Sequence, residues 1–132
     1  MMSIFNNHSA EILVLLFLII TFLQSGIDKL TDWKGNVGFI TGHFKNSPLK
    51  NMVPLLLMTL LIFEIGASIL MLIGGYYIFA EGDGTVAKVG LEFAAITLIM
   101  LLIGQRLAKD YAGAMTIAIY FILTIFGLYL LN

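Results

Sequence analysis

Four apolar segments constrain the fold of this chain more than any other feature of its sequence. They occupy positions 10–30, 52–78, 85–103 and 111–131, and each can span the roughly 20 residues that a helix needs to cross a bilayer. Backbone groups in lipid must be hydrogen-bonded internally, and these segments are too continuous for the strands of a barrel. The sequence therefore predicts an all-α integral membrane protein, an antiparallel bundle of four transmembrane helices in a single domain, 1–132.

The composition agrees with a lipid environment and excludes several classes of function. Hydrophobic residues make up 60% of the chain and charged residues 11%, whereas about 25% of the residues in an average soluble domain are charged. The net charge of −1 provides no basic surface for nucleic acid. Because the chain has no cysteine, it has no disulfide, thiol relay or thiolate metal ligand of its own. Neither a metal site nor a covalently bound cofactor is predicted.

Two of the three connections are short and predict antiparallel neighbours. The sequence "AEGDGT" between the second and third segments is typical of a tight turn. Between the third and fourth segments there is little beyond "RLAKD", so these two helices are expected to lie side by side.

The long first connection predicts one further helix, over residues 32–45. A single apolar stripe runs along it at spacings of four, three and four residues, formed by Trp33, Val37, Ile40 and Phe44. Asp32 is a candidate cap for its start. The segment is too short and too polar to span a membrane, so it is expected to be a short amphipathic helix at the interface or folded over the bundle. Ser47 and Pro48 then suit the start of the second span.

Positively charged residues predict the orientation of the chain in its membrane. Of the seven, six lie on the side of the first and third connections: Lys29, Lys34, Lys45, Lys50, Arg106 and Lys109. Only Lys88 lies on the other side. Because cytoplasmic connections are enriched in Lys and Arg, the first and third connections are predicted to be cytoplasmic.

Glu64 is the most conspicuous charge within a predicted span. It lies near the middle of the second segment, in "LLIFEIGASIL", with no charged neighbour in sequence. A charge at the bilayer centre costs about 2.5–3.5 kcal/mol on insertion scales, so its presence needs a reason. One interpretation is a protonated carboxyl group that is hydrogen-bonded across the bundle. The other is a catalytic carboxylate that handles protons or binds a ligand.

A second set of polar residues lies where the first and third spans end and the fourth begins. Because the helices alternate in direction, these groups are expected at one face of the membrane. The candidate ligand-binding residues are Gln24, Ser25, Asp28, Lys29, Gln105, Arg106, Asp110 and Tyr111. In one interpretation they are structural: Asp110 caps the fourth helix, and Arg106 and Lys109 anchor at the headgroups. In the other they form a polar pocket under the short helix, with Glu64 at its floor. Such groups could bond a carbonyl, stabilise an oxyanion and move protons, as the reduction of a quinone requires.

Several stretches resemble the DoxX family of small four-helix membrane proteins. They are "SGIDKL" at the end of the first span, the amphipathic connection, and a central glutamate followed by "IGASILMLIGG" in the second span. The similarity covers essentially the whole chain, and its motif carries over to Ser25, Gly26, Lys29, Leu30 and Glu64. The resemblance implies a multi-pass protein of the bacterial cytoplasmic membrane. It also implies, at most, a membrane subunit of an oxidoreductase complex that binds a quinone or similar carrier and works with a soluble redox partner.

A second function stays open beside the redox-linked one, since other members of the family resemble assembly proteins. In this alternative the chain is a non-catalytic assembly or scaffold protein whose polar cluster is structural. A homo-oligomer is compatible with this alternative. The scaffold hypothesis predicts that Glu64→Gln leaves function intact, whereas bulky replacements at Gly66 or Ala94 disrupt it. The redox-linked hypothesis predicts that the Gln replacement is damaging.

Overall fold

The computed structural model describes residues 2–43, 45 and 50–131. They form five α-helices and one short 3₁₀ turn, Lys50–Met52, and contain no strand. The helices are α1 (Met2–Thr31), α2 (Trp33–His43), α3 (Val53–Glu81), α4 (Thr85–Leu107) and α5 (Tyr111–Leu131). Ser9–Thr31 of α1 and the whole of α3, α4 and α5 are long and apolar enough to cross a membrane. The predicted all-α, four-span architecture is therefore confirmed.

The four long helices form a closed ring in which α3 lies between α1 and α4, and α5 lies between α4 and α1. The interior contains side chains that are almost completely buried, among them Leu15, Leu18, Met71, Leu91 and Leu98. Large apolar side chains also cover the outside of the ring, where they are half to two-thirds exposed, as Ile20, Ile62 and Ile122 are. An apolar exterior of this kind is stable only in lipid, so the chain is a multi-pass membrane protein.

Small residues bring α3 and α4 together near the turn that joins them. A Cβ atom on Gly74 would overlap the backbone of Ala87, and one on Gly90 would lie 2.9 Å from Met71 N. Ala94, on the same face of α4, is fully buried. By contrast, a Cβ atom on Gly66 would meet nothing within 4 Å. Gly66 therefore makes no close contact with another helix of the described chain, and the prediction that bulky replacements at Gly66 disrupt a scaffold function stays a prediction.

The turn between α3 and α4 has the tight geometry that its sequence predicts. Gly82 adopts a left-handed conformation with φ 71°, and its N–H donates to Ile78 O at 2.9 Å. The N–H of Asp83 donates to Tyr77 O at 3.3 Å, so the carbonyl groups of Tyr77 and Ile78 are paired across the end of α3. Asp83 Oδ1 then accepts from Thr85 N at 3.0 Å and from Thr85 Oγ1 at 2.7 Å. These hydrogen bonds lower the pKa of the Asp83 carboxyl from its usual 3.8.

The short helix α2 is folded over one end of the bundle, where it packs against α1 and α3. Asp32 Oδ1 accepts from Gly35 N at 3.3 Å, which confirms its predicted role as a cap. Trp33, Val37 and Ile40 are half-buried, as an apolar stripe requires. The remaining member of the stripe, Phe44, and the predicted helix start at Ser47 and Pro48 lie outside the described residues.

Candidate functional site: a buried ion pair beside a cavity

Glu64 is paired with a lysine from the neighbouring helix. Its Oε1 atom lies 2.8 Å from Lys29 Nζ, and the two side chains are only 3% and 12% exposed. The ammonium group also donates a hydrogen bond of 2.7 Å to Ser25 Oγ, one turn earlier on α1. Glu64 Oε1 itself accepts no well-aligned hydrogen bond, so charge rather than hydrogen-bond geometry dominates the contact between Lys29 and Glu64.

This ion pair explains how a carboxylate can lie so deep in the bundle. A buried charge is tolerated when a charge of opposite sign compensates it, and removing one partner of such a pair is strongly destabilising. Glu64 and Lys29 lie on different predicted spans, and no direct contact between them was predicted. Their pairing depends on the register of α1 against α3, which brings the last turns of α1 to the level of Glu64.

A cavity of about 500 Å³ opens at the same end of the bundle. Its walls come from the end of α1, from α2, from the first two turns of α3 and from the last two turns of α4. Most of the lining is apolar, formed by Phe39, Ile40, Val53, Leu56, Leu57, Leu60, Met100, Leu101, Ile103, Gly104 and Leu107. The polar residues in the lining are Lys29, Asn36, Thr59, Gln105 and Asp110. An apolar cavity with a few convergent polar groups is typical of small-molecule sites.

Two of these polar residues have structural roles that can be read from their hydrogen bonds. Asn36 Nδ2 donates to the backbone oxygens of Asp28 at 3.1 Å and Asp32 at 2.8 Å, which ties α2 to the end of α1. Asp110 Oδ1 accepts from Gly113 N at 3.0 Å, so the predicted cap of the last helix is confirmed.

Gln105 differs from Asn36 and Asp110 because its side-chain oxygen has no partner. Oε1 is buried and accepts no hydrogen bond from any described residue. The amide nitrogen lies beside Gly113, where a Cβ atom would come within 2.7 Å of it. The backbone oxygen of Gln105, in contrast, accepts from Asp110 N at 2.8 Å.

The structure brings some of the predicted site residues to the cavity and leaves others outside it. Lys29, Gln105 and Asp110 line the cavity, and Ser25 and Glu64 are connected to it through Lys29. The other four candidates, Gln24, Asp28, Arg106 and Tyr111, are exposed and do not line it.

Arg106 and Tyr111 contact each other instead of the cavity. The Arg106 guanidinium lies 4.9 Å from the centre of the Tyr111 ring, in a cation–π contact at the end of α4. Among the residues that the structure describes, no three His, Cys, Asp or Glu side chains come together as a candidate metal site.

Sequence reasoning missed two polar residues of the cavity, Asn36 and Thr59. Asn36 lies off the apolar stripe of α2, so the stripe gave no reason to expect it in the cavity wall. Thr59 gave no signal, since its hydroxyl donates to Leu55 O at 3.0 Å as hydroxyl groups commonly do in membrane helices.

No family model, curated protein or solved structure matches this chain. The resemblance to the DoxX family therefore stays a prediction, and the function must be argued from the cavity and the ion pair.

Proposed function

We propose that this chain is a DoxX-like membrane subunit of a redox system that binds a quinone or similar lipophilic carrier in the cavity. The observation that carries the proposal is that the cavity lining has a polar part and an apolar part. The polar part includes the Lys29 ammonium and the Gln105 amide, and leucine side chains form much of the apolar part. A quinone has the same two parts, since it carries polar oxygens on a ring and an apolar tail. A volume of about 500 Å³ lies within the usual range for ligand sites.

The side chains of the chain suit the binding of such a head group. Lys29 has donors beyond the one that Ser25 Oγ accepts, and its position at the cavity wall lets it donate to a ligand oxygen. Glu64 is a positioning residue in this proposal, because its carboxylate balances the ammonium charge without lining the cavity. A preorganised cation at the cavity wall can stabilise negative charge on a bound ligand.

A soluble partner is part of the proposal. A bound quinone can be reduced reversibly to a quinol by two electrons and two protons. The chain has no cysteine that could pass electrons to it. The groups identified at the cavity bind and stabilise charge, so electrons would come from a soluble partner at the membrane surface.

Binding can be measured with the single tryptophan of the chain, Trp33, which lies on the helix that covers the cavity. The protein would be purified in native lipid, extracted for quinone, and then titrated with a short-chain benzoquinone while Trp33 fluorescence is followed. We expect co-extracted quinone and saturable quenching. Absence of both would overturn the proposal.

A matched pair of variants locates the site. Leu60→Phe fills the cavity and should weaken binding at least about tenfold, since an added ring has no room in an occupied site. Leu55→Phe places the same ring on the exposed face of α3, where Leu55 is 63% exposed, and should bind as the wild type does. Equal binding by both variants would place the ligand elsewhere.

The alternative proposal is a non-catalytic assembly or scaffold protein. It is favoured by the way the polar groups are used within the fold: Lys29 pairs with Glu64, and Asp110 caps α5. In this case Leu60→Phe should leave the set of co-purifying membrane proteins unchanged, and no quinone should bind. Glu64→Gln alone no longer separates the two proposals, because it breaks the ion pair in both.

We also propose that the protein lies in the bacterial cytoplasmic membrane with the α1–α3 and α4–α5 connections in the cytoplasm. Six of the seven Lys and Arg residues lie on that side. The absence of native cysteine allows a clean test with Lys45→Cys and Glu81→Cys, both at exposed positions. In intact cells, a membrane-impermeant maleimide should label the second variant only, and the reverse pattern would invert the topology.

A further inference from the structure

The unpaired oxygen of Gln105 indicates what chemistry the ligand must supply. Gln105 is anchored near the end of α4, and its Oε1 atom is buried without a donor among the residues that the structure describes. A buried acceptor that lacks a donor is costly, so such atoms are rarely left unpaired in native proteins. Because Gln105 lines the cavity, a bound molecule can provide the missing donor.

The Gln105 amide nitrogen, rather than its oxygen, lies on the side of Gly113 and Asp110. A Cβ atom built on Gly113 would contact both Gln105 Nε2 and Asp110 Oδ2, so the amide nitrogen and the carboxylate oxygen share the small space above this glycine. An N–H donor beside a carboxylate is favourable. Rotation of the amide by half a turn would put its oxygen there instead, against a group that only accepts hydrogen bonds. The atom left without a partner is therefore an acceptor.

Lys29 provides a hydrogen-bond donor, rather than an acceptor, at the wall formed by α1. Its ammonium group can only donate hydrogen bonds, and it is held in place by Ser25 and Glu64. Lys29 and Gln105 thus offer a donor and an acceptor to the cavity from different helices. A ligand with a hydroxyl group satisfies both, since a hydroxyl group can donate to Gln105 and accept from Lys29.

We propose that the cavity is selective for a hydroxylated head group, so that it binds a quinol more tightly than the corresponding quinone. This inference rests on the proposed function, since it concerns the same cavity. A quinone has only acceptor oxygens and leaves Gln105 Oε1 unpaired, whereas a quinol can donate to Gln105 and accept from Lys29.

Three ligands of nearly the same shape test the selectivity: a short-chain benzoquinone, its quinol, and the dimethyl ether of that quinol. Affinities would be measured anaerobically by calorimetry with the full chain in lipid nanodiscs. We expect the quinol to bind about tenfold more tightly than the ether or the quinone, because only the quinol supplies a donor to the buried acceptor. Equal affinities for all three would overturn the inference and leave the proposed function intact, with water as the donor to Gln105. Binding of none would overturn both.

The variant Gln105→Met keeps the length of the side chain and removes the acceptor. It should abolish the preference for quinol over ether while retaining affinity for the ether. Gln24→Met, at an exposed position outside the cavity, is the matched control and should keep the wild-type preference. A full preference in Gln105→Met would contradict the assignment of Gln105. If that variant does not fold, the comparison of ligands on the wild-type chain still decides the question.

Discussion

The two ends of the bundle differ in how α3 and α4 are related. Near their connecting turn the helices touch through Gly74 and Ala87, with no room for even a Cβ atom between them. Toward the other end the same two helices contribute Leu57, Leu60 and Leu101 to the walls of a cavity of about 500 Å³. Small residues let the helices touch at one end, while bulky residues line a cavity at the other.

The open end is stabilised by different interactions from the closed end. Glu64 and Lys29 form an ion pair between α1 and α3, and α2 covers the opening. Close packing needs no polar groups, whereas a space kept open for a ligand requires another way to hold its walls in position. The comparison therefore predicts that charge changes damage the open end and volume changes damage the closed end.

The largest effect is expected from Lys29→Met, which leaves the Glu64 carboxylate buried without its counter-charge. We expect a loss of about 3–5 kcal/mol in the free energy of unfolding, measured by reversible unfolding in mixed micelles. Glu64→Gln should cost less, about 1–3 kcal/mol, because the remaining ammonium lies at the cavity wall where water can reach it.

The double variant, Lys29→Met with Glu64→Gln, measures the interaction between the two side chains apart from the effect of removing each one. It should recover most of the stability lost in Lys29→Met, because no charge is left unpaired. Lys34→Met removes an exposed cation from α2 and should change stability by less than about 0.5 kcal/mol. Strict additivity of the two single effects would show that the ion pair does not stabilise the open end.

A smaller effect is expected from Gly74→Ala at the closed end. The added methyl group would overlap the Ala87 backbone, so α3 and α4 must separate, at a cost of about 1–3 kcal/mol. Gly66→Ala adds the same methyl group to the same helix where nothing lies within 4 Å. When the free energy of unfolding is measured for both variants under the same conditions, only Gly74→Ala should be less stable than the wild type. Equal stabilities would mean that the close approach at Gly74 does not limit the packing.

These residues also show what could be predicted from the sequence and what could not. The four spans and the caps at Asp32 and Asp110 were predictable, because apolar length and short-range hydrogen bonds are local properties. The pairing of Lys29 with Glu64 was not, since the two are distant in sequence and meet only through the register of α1 against α3. Likewise, Gly66 and Gly74 look equivalent in sequence, and the rotation of α3 about its axis decides which one faces α4.

The candidate site was predicted in part for the same reason. Gln105 and Lys29 were candidates from their positions at helix ends, and both line the cavity. Arg106 is adjacent to Gln105 in sequence, but a helix turns about 100° per residue. That rotation places Arg106 on the exposed face with Tyr111. Helix ends could be aligned from the sequence, but the direction of each side chain around its helix could not.

The smallest effect concerns the turn that closes the tight end, where Asp83 accepts two hydrogen bonds from Thr85. These bonds favour the carboxylate and lower its pKa below 3.8. A lowered pKa in the folded state means that the contribution to stability is present above the unfolded-state pKa and is lost as pH falls through the folded value. The contribution of this group to stability should therefore be constant above about pH 4 and decrease only below it. NMR titration should place the Asp83 midpoint below 3.8, and the wild type should lose more stability than Asp83→Asn between about pH 6 and pH 3. Equal losses, or a midpoint at or above the ordinary value, would show that the turn contributes nothing through this carboxylate and that glycine packing alone closes this end.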